Sequence, residues 1–245
     1  MITSVKNEKI KALKKLHQRK YRAQTNTFLI EGEHLIEEAL LSGWETKEII
    51  VSEEVRTPEI ASDLPITEVT KQVFKELSFT ASPQGIMAVV EMKTEHVADG
   101  QVLVLLDAIQ DPGNLGTIIR TADAAGVNGI ILGRGCVDLF NDKVIRATQG
   151  SIFHIPILQE NLEEKIVHLK DAGYSIWATA LEAADNYKML PIPQKTAIIF
   201  GNEGAGVQES LLEKADTRVT IPIFGKAESL NVSIAAGVLL YYLKN

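Results

Sequence analysis

The sequence predicts an α/β protein, with a mainly parallel sheet covered on both faces in its C-terminal part and a small α/β domain before it. Three observations predict this. Short apolar runs of four or five residues alternate with segments whose apolar residues recur at helical spacing. Two late strands, Ala197–Phe200 and Val219–Ile223, each empty into a small-residue polar loop, Gly201–Gly206 and Gly225–Asn231. The polar stretch Lys93–Gly100 separates two patterned regions and reads as a linker, which places domains at residues 1–95 and 99–245. The pattern alone is that of a doubly wound, Rossmann-like sheet.

Taken in order, Asn7–His17 is a helix with Ile10, Leu13 and Leu16 on one stripe and lysines on the remainder. Phe28–Ile30 is a short strand and Glu33–Leu41 a helix that turns Leu35, Ile36, Ala39 and Leu40 inward, with Gly43 as its stop. Glu48–Val51 and Ile66–Val69 are strands, Lys71–Leu77 a helix and Gly85–Glu91 the last strand of the first domain. In the second, the apolar strand Val102–Leu106 runs into Asp107–Gly116 and a helix at Thr117–Ala125. Pro112-Gly113 marks a turn there, Asn114 is suited to cap the helix, and Asp107 and Asp111 read as turn formers. Gly129–Leu132, Ile152–Ile155 and Ser175–Thr179 are further strands, with helices at Asn141–Thr148 and Leu162–Leu169. The chain shows no internal repeat.

Composition narrows the function. The chain has 245 residues, 45% of them hydrophobic and 23% charged, which is ordinary for a globular protein. The lone Cys136 forbids an internal disulfide and a thiolate metal cluster and fits a reducing cytoplasm. The five histidines show no paired ligand spacing, so no metal is expected, and no run approaches membrane-spanning length. The net charge of −7 argues against a polyanion, but its distribution does not. Residues 1–24 hold eight basic residues and one acid, a local charge of +7 that leaves the remainder at −14. Such asymmetry points to a polyanion-binding arm. Its candidate polyanion contacts, which would be RNA contacts if the partner is RNA, are Lys9, Lys14, Lys15, Arg19, Lys20 and Arg22, against the plainer reading of a solvated basic helix face.

The two Gly-rich loops bring backbone N–H groups and short polar side chains to one edge of the predicted sheet, where open α/β sheets bind small ligands. Glu203, Glu228, Ser229, Asn231 and Ser233 crowd around otherwise apolar segments there. Buried polar groups are costly without partners, so a ligand is a physical reason for them. Gly-rich turns also simply reverse chains. The spacing Gly-x-x-Gly-x-Gly is not the dinucleotide fingerprint, and no acid stands about twenty residues beyond a Gly-rich first turn. A nucleotide-dependent oxidoreductase therefore fits only the coarse pattern.

Three segments are more specific together than apart: Asp107–Gly126 (DAIQDPGNLGTIIRTADAAG), Phe200–Gly206 (FGNEGAG) and Ile221–Ala236 (IPIFGKAESLNVSIAA). In this order they closely resemble the three motifs of the SpoU (TrmH-type) RNA 2′-O-ribose methyltransferases of the SPOUT superfamily, over about Val102–Leu243. The first domain, with KYRAQTNTFLIEGEHLIEEAL and TASPQGIMAVV, more weakly resembles the accessory RNA-binding domain of ribosomal-RNA members.

The resemblance implies a knotted α/β fold with the last segment threaded through a loop, rare by ordinary topology rules. It also implies S-adenosylmethionine as methyl donor, ribosomal RNA as substrate, and a homodimer that completes the site across its interface. Donor contacts would come from Gly201, Ile221 and Leu230, with Thr179, Ala180, Phe200 and Ile223 lining the pocket. The catalytic constellation would be Asn114, Arg120, Glu203, Ser229 and Asn231, with Glu203 more an orienting group than a base. The helix after Asn114 and the C-terminal helix would form the dimer surface. The rival from another class is a non-catalytic RNA-binding protein that kept the fold.

Overall fold

The computed structural model describes residues 1–56, 59–61, 63–93, 96–97 and 99–244. Part of the predicted 93–100 linker lies outside the described residues. The chain divides into two compact units, Met1–Thr94 with Asp138–Phe153, and Glu95–Val137 with His154–Asn245.

In the first unit, α1 (Glu8–Lys15) starts at Asn7, whose side chain accepts from the Lys9 N–H, and buries Ile10 and Leu13. A helix that the sequence pattern did not reveal follows, α2 (Arg19–Thr25), ended by Asn26 at a left-handed φ of 54°. Then come β1 (Thr27–Glu31), α3 (Glu33–Leu41), β2 (Thr46–Ser52), β3 (Ile66–Val69), α4 (Lys71–Leu77) and β4 (Ile86–Glu91). The sheet order is β1-β4-β2-β3, antiparallel at β1/β4 and β2/β4 and parallel at β2/β3. Ile10, Leu13 and Leu16 pack with Leu29, Ile50, Val73, Phe74 and Met87 in one apolar cluster.

The second unit opens with β5 (Val102–Leu106), α5 (Pro112–Ala124) and β6 (Gly129–Leu132). The chain then contributes α6 (Asp142–Thr148) to the first unit. It resumes with β7 (Ile157–Gln159), α7 (Leu162–Asp171), β8 (Ser175–Thr179), the two-residue β9 (Asp185–Asn186), β10 (Thr196–Phe200), α8 (Glu209–Leu212), β11 (Thr217–Thr220) and α9 (Val232–Leu243). The strand order is β7-β6-β5-β10-β8-β11-β9, and every pair is parallel. Leu103, Leu105, Ile131, Ile176, Ala197 and Ile199 point to α7. The alternate residues Val104, Leu106, Trp177, Ile198 and Phe200 are buried on the opposite face. Burial on both faces explains the unbroken apolar runs.

Several sequence expectations change. The helix predicted from Thr117 begins at Pro112, because proline supplies a preformed first turn and the Asp111 carboxylate accepts from the Asn114 N–H at 2.8 Å. Asp111 is thus the cap, and Asn114 sits inside the first turn. The predicted strand Val219–Ile223 spans Thr217–Thr220 instead. Pro222, which has no N–H to donate, stands two residues beyond its end. Ile152–Ile155 is no strand: Ser151–Phe153 is a 3₁₀ turn, and the strand comes after Pro156. A short apolar run does not separate a buried turn from a buried strand.

The segment Asp138–Phe153 falls within the predicted second domain by sequence but packs with the first unit. The Trp44 Nε1–H donates to the Phe153 carbonyl at 3.1 Å, and the Phe28 and Phe140 rings lie 4.6 Å apart. Arg22 is 5% exposed, donates to the Leu16 carbonyl at 2.7 Å and pairs with Asp138. His17 is half-buried, stacks on Phe79 at 4.1 Å and bonds the Leu77 carbonyl. Burial pushes its pKa below the ordinary 6.5, against the opposing pull of the Leu77 carbonyl and Asp142.

Two measurements check this unit. Arg22→Ala empties a buried site and removes its bonds to the Leu16 carbonyl and Asp138, and is expected to cost about 2 kcal/mol in urea unfolding. In the wild type, the unfolded chain takes up the His17 proton near pH 6.5 while the folded chain resists it. Stability therefore falls as pH drops below about 6.5, and this part of the slope disappears in His17→Phe.

Candidate functional site

The parallel register gathers the site. Phe200 pairs with Leu106, Ile199 with Ala178, and Val219 with Thr179, so four strands end side by side. The residues just beyond them, Asp107, Gly201, Ala180 and Ile221, share one edge of the sheet. The Asp107 N–H donates to the Phe200 carbonyl at 2.9 Å, and the Ala180 N–H to that of Val219 at 3.0 Å.

The loop after β10 folds back on itself. Asn202 and Gly206 exchange two backbone hydrogen bonds at 3.0 Å, and the Asn202 Oδ1 accepts from the Gly204 and Ala205 N–H groups. The Asn202 Nδ2 donates to the Ala108 carbonyl at 2.8 Å. Gly201 is required at the crossing: a Cβ there would lie 2.2 Å from the Gly206 carbonyl carbon and the Val207 nitrogen. Gly206 takes a φ of 73°. The exit of the loop is anchored by Asp107, 1% exposed, which accepts from the Gln208 N–H at 2.8 Å and the Gln208 Nε2 at 2.5 Å. Asp107 is therefore not the turn former that the sequence reading made it. The signal available for it was an acidic residue immediately after a wholly apolar strand.

A second set of bonds joins three loops. The Glu203 carboxylate accepts from the Gln110 and Asp111 N–H groups at 3.2 and 3.1 Å and from the Asn114 Nδ2 at 3.0 Å. The Asn114 Oδ1 in turn accepts from the Asn231 Nδ2 at 2.9 Å. Asn231 caps α9, its Oδ1 accepting from the Ser233 N–H and hydroxyl at 2.9 and 2.6 Å. Partial burial raises the Glu203 pKa, but the donors, Asn114 foremost, outweigh it and hold the carboxyl below its ordinary value.

Inside these loops lies a cavity of about 660 Å³, within the range of small-molecule sites. Thr179, Ala180, Phe200, Gly201, Ile221, Ile223 and Leu230, all seven positions picked from sequence for the donor, line it. Asn114, Glu203, Ser229 and Asn231 line it as well. Arg120 does not: it is exposed on α5, with no hydrogen-bond or ion-pair partner among the described residues. It lies six residues beyond Asn114, about 9 Å along the helix axis.

The basic arm is less free than its charge implies. Lys9 pairs with Glu48 at 2.7 Å and Lys14 with Glu76 at 2.8 Å, and Arg22 is buried as described. Arg19 is 65% exposed, 4.0 Å from Asp138, and Lys15 and Lys20 stand over the Tyr21 ring at 5.4 and 5.8 Å. Arg22 thus serves packing, because one-dimensional charge counting cannot see a guanidinium turned inward.

Comparison with known proteins agrees with this geometry. Residues 101–241 match the SpoU rRNA Methylase family, and residues 7–88 match the MRM3-like substrate binding domain. The chain is 48% identical over 244 residues to the 23S rRNA (guanosine(2553)-2′-O)-methyltransferase RlmP of Bacillus subtilis strain 168, covering 99% of this chain and 98% of that one. The AdoMet-bound rRNA methyltransferase from Sinorhizobium meliloti is similar in structure, with a TM-score of 0.90 at 35% identity over 99% of this chain and 96% of that one. The SpoU methyltransferase AviRb from Streptomyces viridochromogenes, in complex with AdoMet, gives 0.87 at 27% identity, over 98% and 97%. With the motif loops, the cavity they enclose and a family match over most of the second unit, this chain belongs to the SpoU rRNA methylase family.

Proposed function

We propose that the protein transfers a methyl group from S-adenosylmethionine to a ribose 2′-hydroxyl of ribosomal RNA, with the 23S molecule named in its Bacillus relative as the substrate class. The observation that carries the reading is the Glu203–Asn114–Asn231 chain, which ties the three motif loops together at a cavity of ligand size. In this reading residues 99–245 perform the transfer and residues 1–95 hold RNA.

The cavity fits the donor. Phe200, Ile221, Ile223 and Leu230 give it apolar walls, while the missing side chains at Gly201, Gly204 and Gly206 expose backbone groups to a polar edge. When bound, the donor supplies a methyl group on a sulfonium sulfur. The chain's own residues hold the ribose and manage its proton. Ser229 and Asn231 line the cavity, and we assign them to the ribose and the loop that carries it. Glu203 accepts from four donors, Asn202 being the fourth at 3.4 Å, and has a lowered pKa, so it is a poor base and an effective strut. Arg120 stays protonated, grips the phosphate beside the target ribose and stabilises developing alkoxide charge, while the proton leaves through that phosphate or water. Positioning of this kind supplies up to ~7–11 kcal/mol of barrier reduction.

Arg120 lies outside the lining of the cavity in its own chain, so we assign the guanidinium to a second copy. An unpartnered apolar face on α9 supports a homodimer: Ile234 is 56% and Tyr241 54% exposed, with half-buried Val238 on the same face between them. The reading carries the family's threaded topology with it. The irregular run Ile221–Leu230, which brings Asn231 to Asn114 and delivers α9 onto α5, supports that topology. The lone Cys136 and the ribosomal substrate support action in the cytoplasm. No helix among the described residues is long and apolar enough to cross a membrane. Of the arm cations picked from sequence, Lys15, Lys20 and Arg19, the last 4.0 Å from Asp138, are exposed and available to phosphate.

Tritiated-methyl transfer to ribosomal RNA from cells lacking the protein, followed by mapping of the modified ribose, tests the function; absence of any labelled 2′-O-methyl sugar refutes it. Arg120→Ala is expected to bind S-adenosylmethionine within about threefold of wild type by calorimetry, while turnover falls by roughly two to four orders of magnitude. A shared site also predicts complementation. Arg120→Ala and Asn231→Ala, each inactive alone, recover about a quarter of wild-type activity when refolded together in equal amounts, since half the dimers are mixed and each mixed dimer rebuilds one site. No recovery places Arg120 in its own chain's site.

A further inference from the structure

Phe224 departs from the treatment of every other phenylalanine in the chain. It is 97% exposed, whereas the other six are buried or half-buried. It opens a run of eight consecutive exposed residues, Phe224–Asn231, that also carries Lys226 and Glu228. The run is anchored at both ends in the site: Ile223 lines the cavity on one side, and Ser229, Leu230 and Asn231 line it on the other. Consecutive Cα atoms are 3.8 Å apart, so the ring stands one residue from the cavity wall. Isolated apolar side chains on a surface are common, but a whole aromatic ring free of its own fold, beside a ribose site, offers a flat π surface.

We propose that Phe224 is a stacking platform for an unpaired nucleobase of the RNA, the base on the methylated ribose or its immediate neighbour, a reading that rests on the RNA methyltransferase function above. A 2′-hydroxyl held at Ser229 and Asn231 carries its base within reach of the same loop. Proteins that read RNA at splayed nucleotides stack the exposed base on an aromatic ring. Lys226, two residues on, suits the adjoining phosphate. The apolar face on α9, in contrast, is continuous along a helix, which suits a second copy of the chain better than a base.

The experiment compares Phe224→Leu, Phe224→Tyr and the wild type. Dissociation constants are measured for ribosomal RNA purified from cells lacking the protein and for S-adenosylmethionine, together with KM and kcat for methyl transfer and the mass in solution. Leu keeps apolar bulk and loses the π face; Tyr keeps the face. Stacking predicts that Phe224→Leu weakens RNA binding and raises its KM roughly ten- to a hundredfold, that Phe224→Tyr restores both to within about threefold, and that donor affinity and mass stay unchanged. Unchanged RNA binding in Phe224→Leu overturns the proposal. A change of mass assigns the ring to a second copy and overturns it too, as does a loss confined to donor affinity. If the wild type binds the RNA but transfers no methyl group, the proposed function fails while the binding ratio still judges Phe224.

Discussion

One carboxylate holds the site in shape. Glu203 projects from a loop that could not close without Gly201, and it accepts hydrogen bonds from the turn after β5 and from Asn114. Through Asn114 it reaches Asn231 and hence the start of α9. Three stretches, separated by roughly 90 and 30 residues of chain, are thereby fixed against one sheet edge. Asp107 and Gln208 make a second, buried tie from the same edge to the exit of the loop. Charge-assisted bonds of this kind are stronger than neutral ones, and a ring of them leaves little freedom to the backbone that a ligand would meet.

Much of this was legible in the sequence, for identifiable reasons. α3, β3, α4, β5, β6 and β8 have the bounds that apolar periodicity and turn residues gave them, and all but the largely exposed β3 bury an apolar run or stripe between clear stops. The cavity lining was legible through the motif resemblance, and its convergence has a physical reason: the loops that form it follow strand ends directly, and a parallel register puts strand ends together. What was not legible depended on the third dimension. Periodicity does not distinguish a buried 3₁₀ turn at Ser151–Phe153 from a strand, and does not show that Pro112 starts α5. The burial of Arg22 required Asp138, more than a hundred residues away. Nor could motif position say that Arg120 stands apart from the cavity.

The first unit shows how net charge and available charge diverge. Its arm counts as +7, yet Lys9, Lys11 and Lys14 each meet an acid, and Arg22 is spent on the interior. Exposed ion pairs contribute little to stability, so such lysines are not lost to a polyanion; they exchange a weak partner for a phosphate. Arg22 cannot exchange at that cost, because leaving would vacate a buried site and give up both Asp138 and the Leu16 carbonyl. A basic arm of this composition therefore has two kinds of cation, and only the structure sorts them.

The detour of Asp138–Phe153 into the first unit has a consequence for biosynthesis. That unit is discontinuous in the chain: Phe28 and Trp44 wait for Phe140 and Phe153, and Arg22 waits for Asp138. A nascent chain emerges at about 5–20 residues per second, so the amino-terminal unit cannot finish its interior until some seconds after its first ninety-odd residues have left the ribosome. By then β5, α5 and β6 of the second unit are already in solution, while β10, the strand that pairs with β5, has yet to be made.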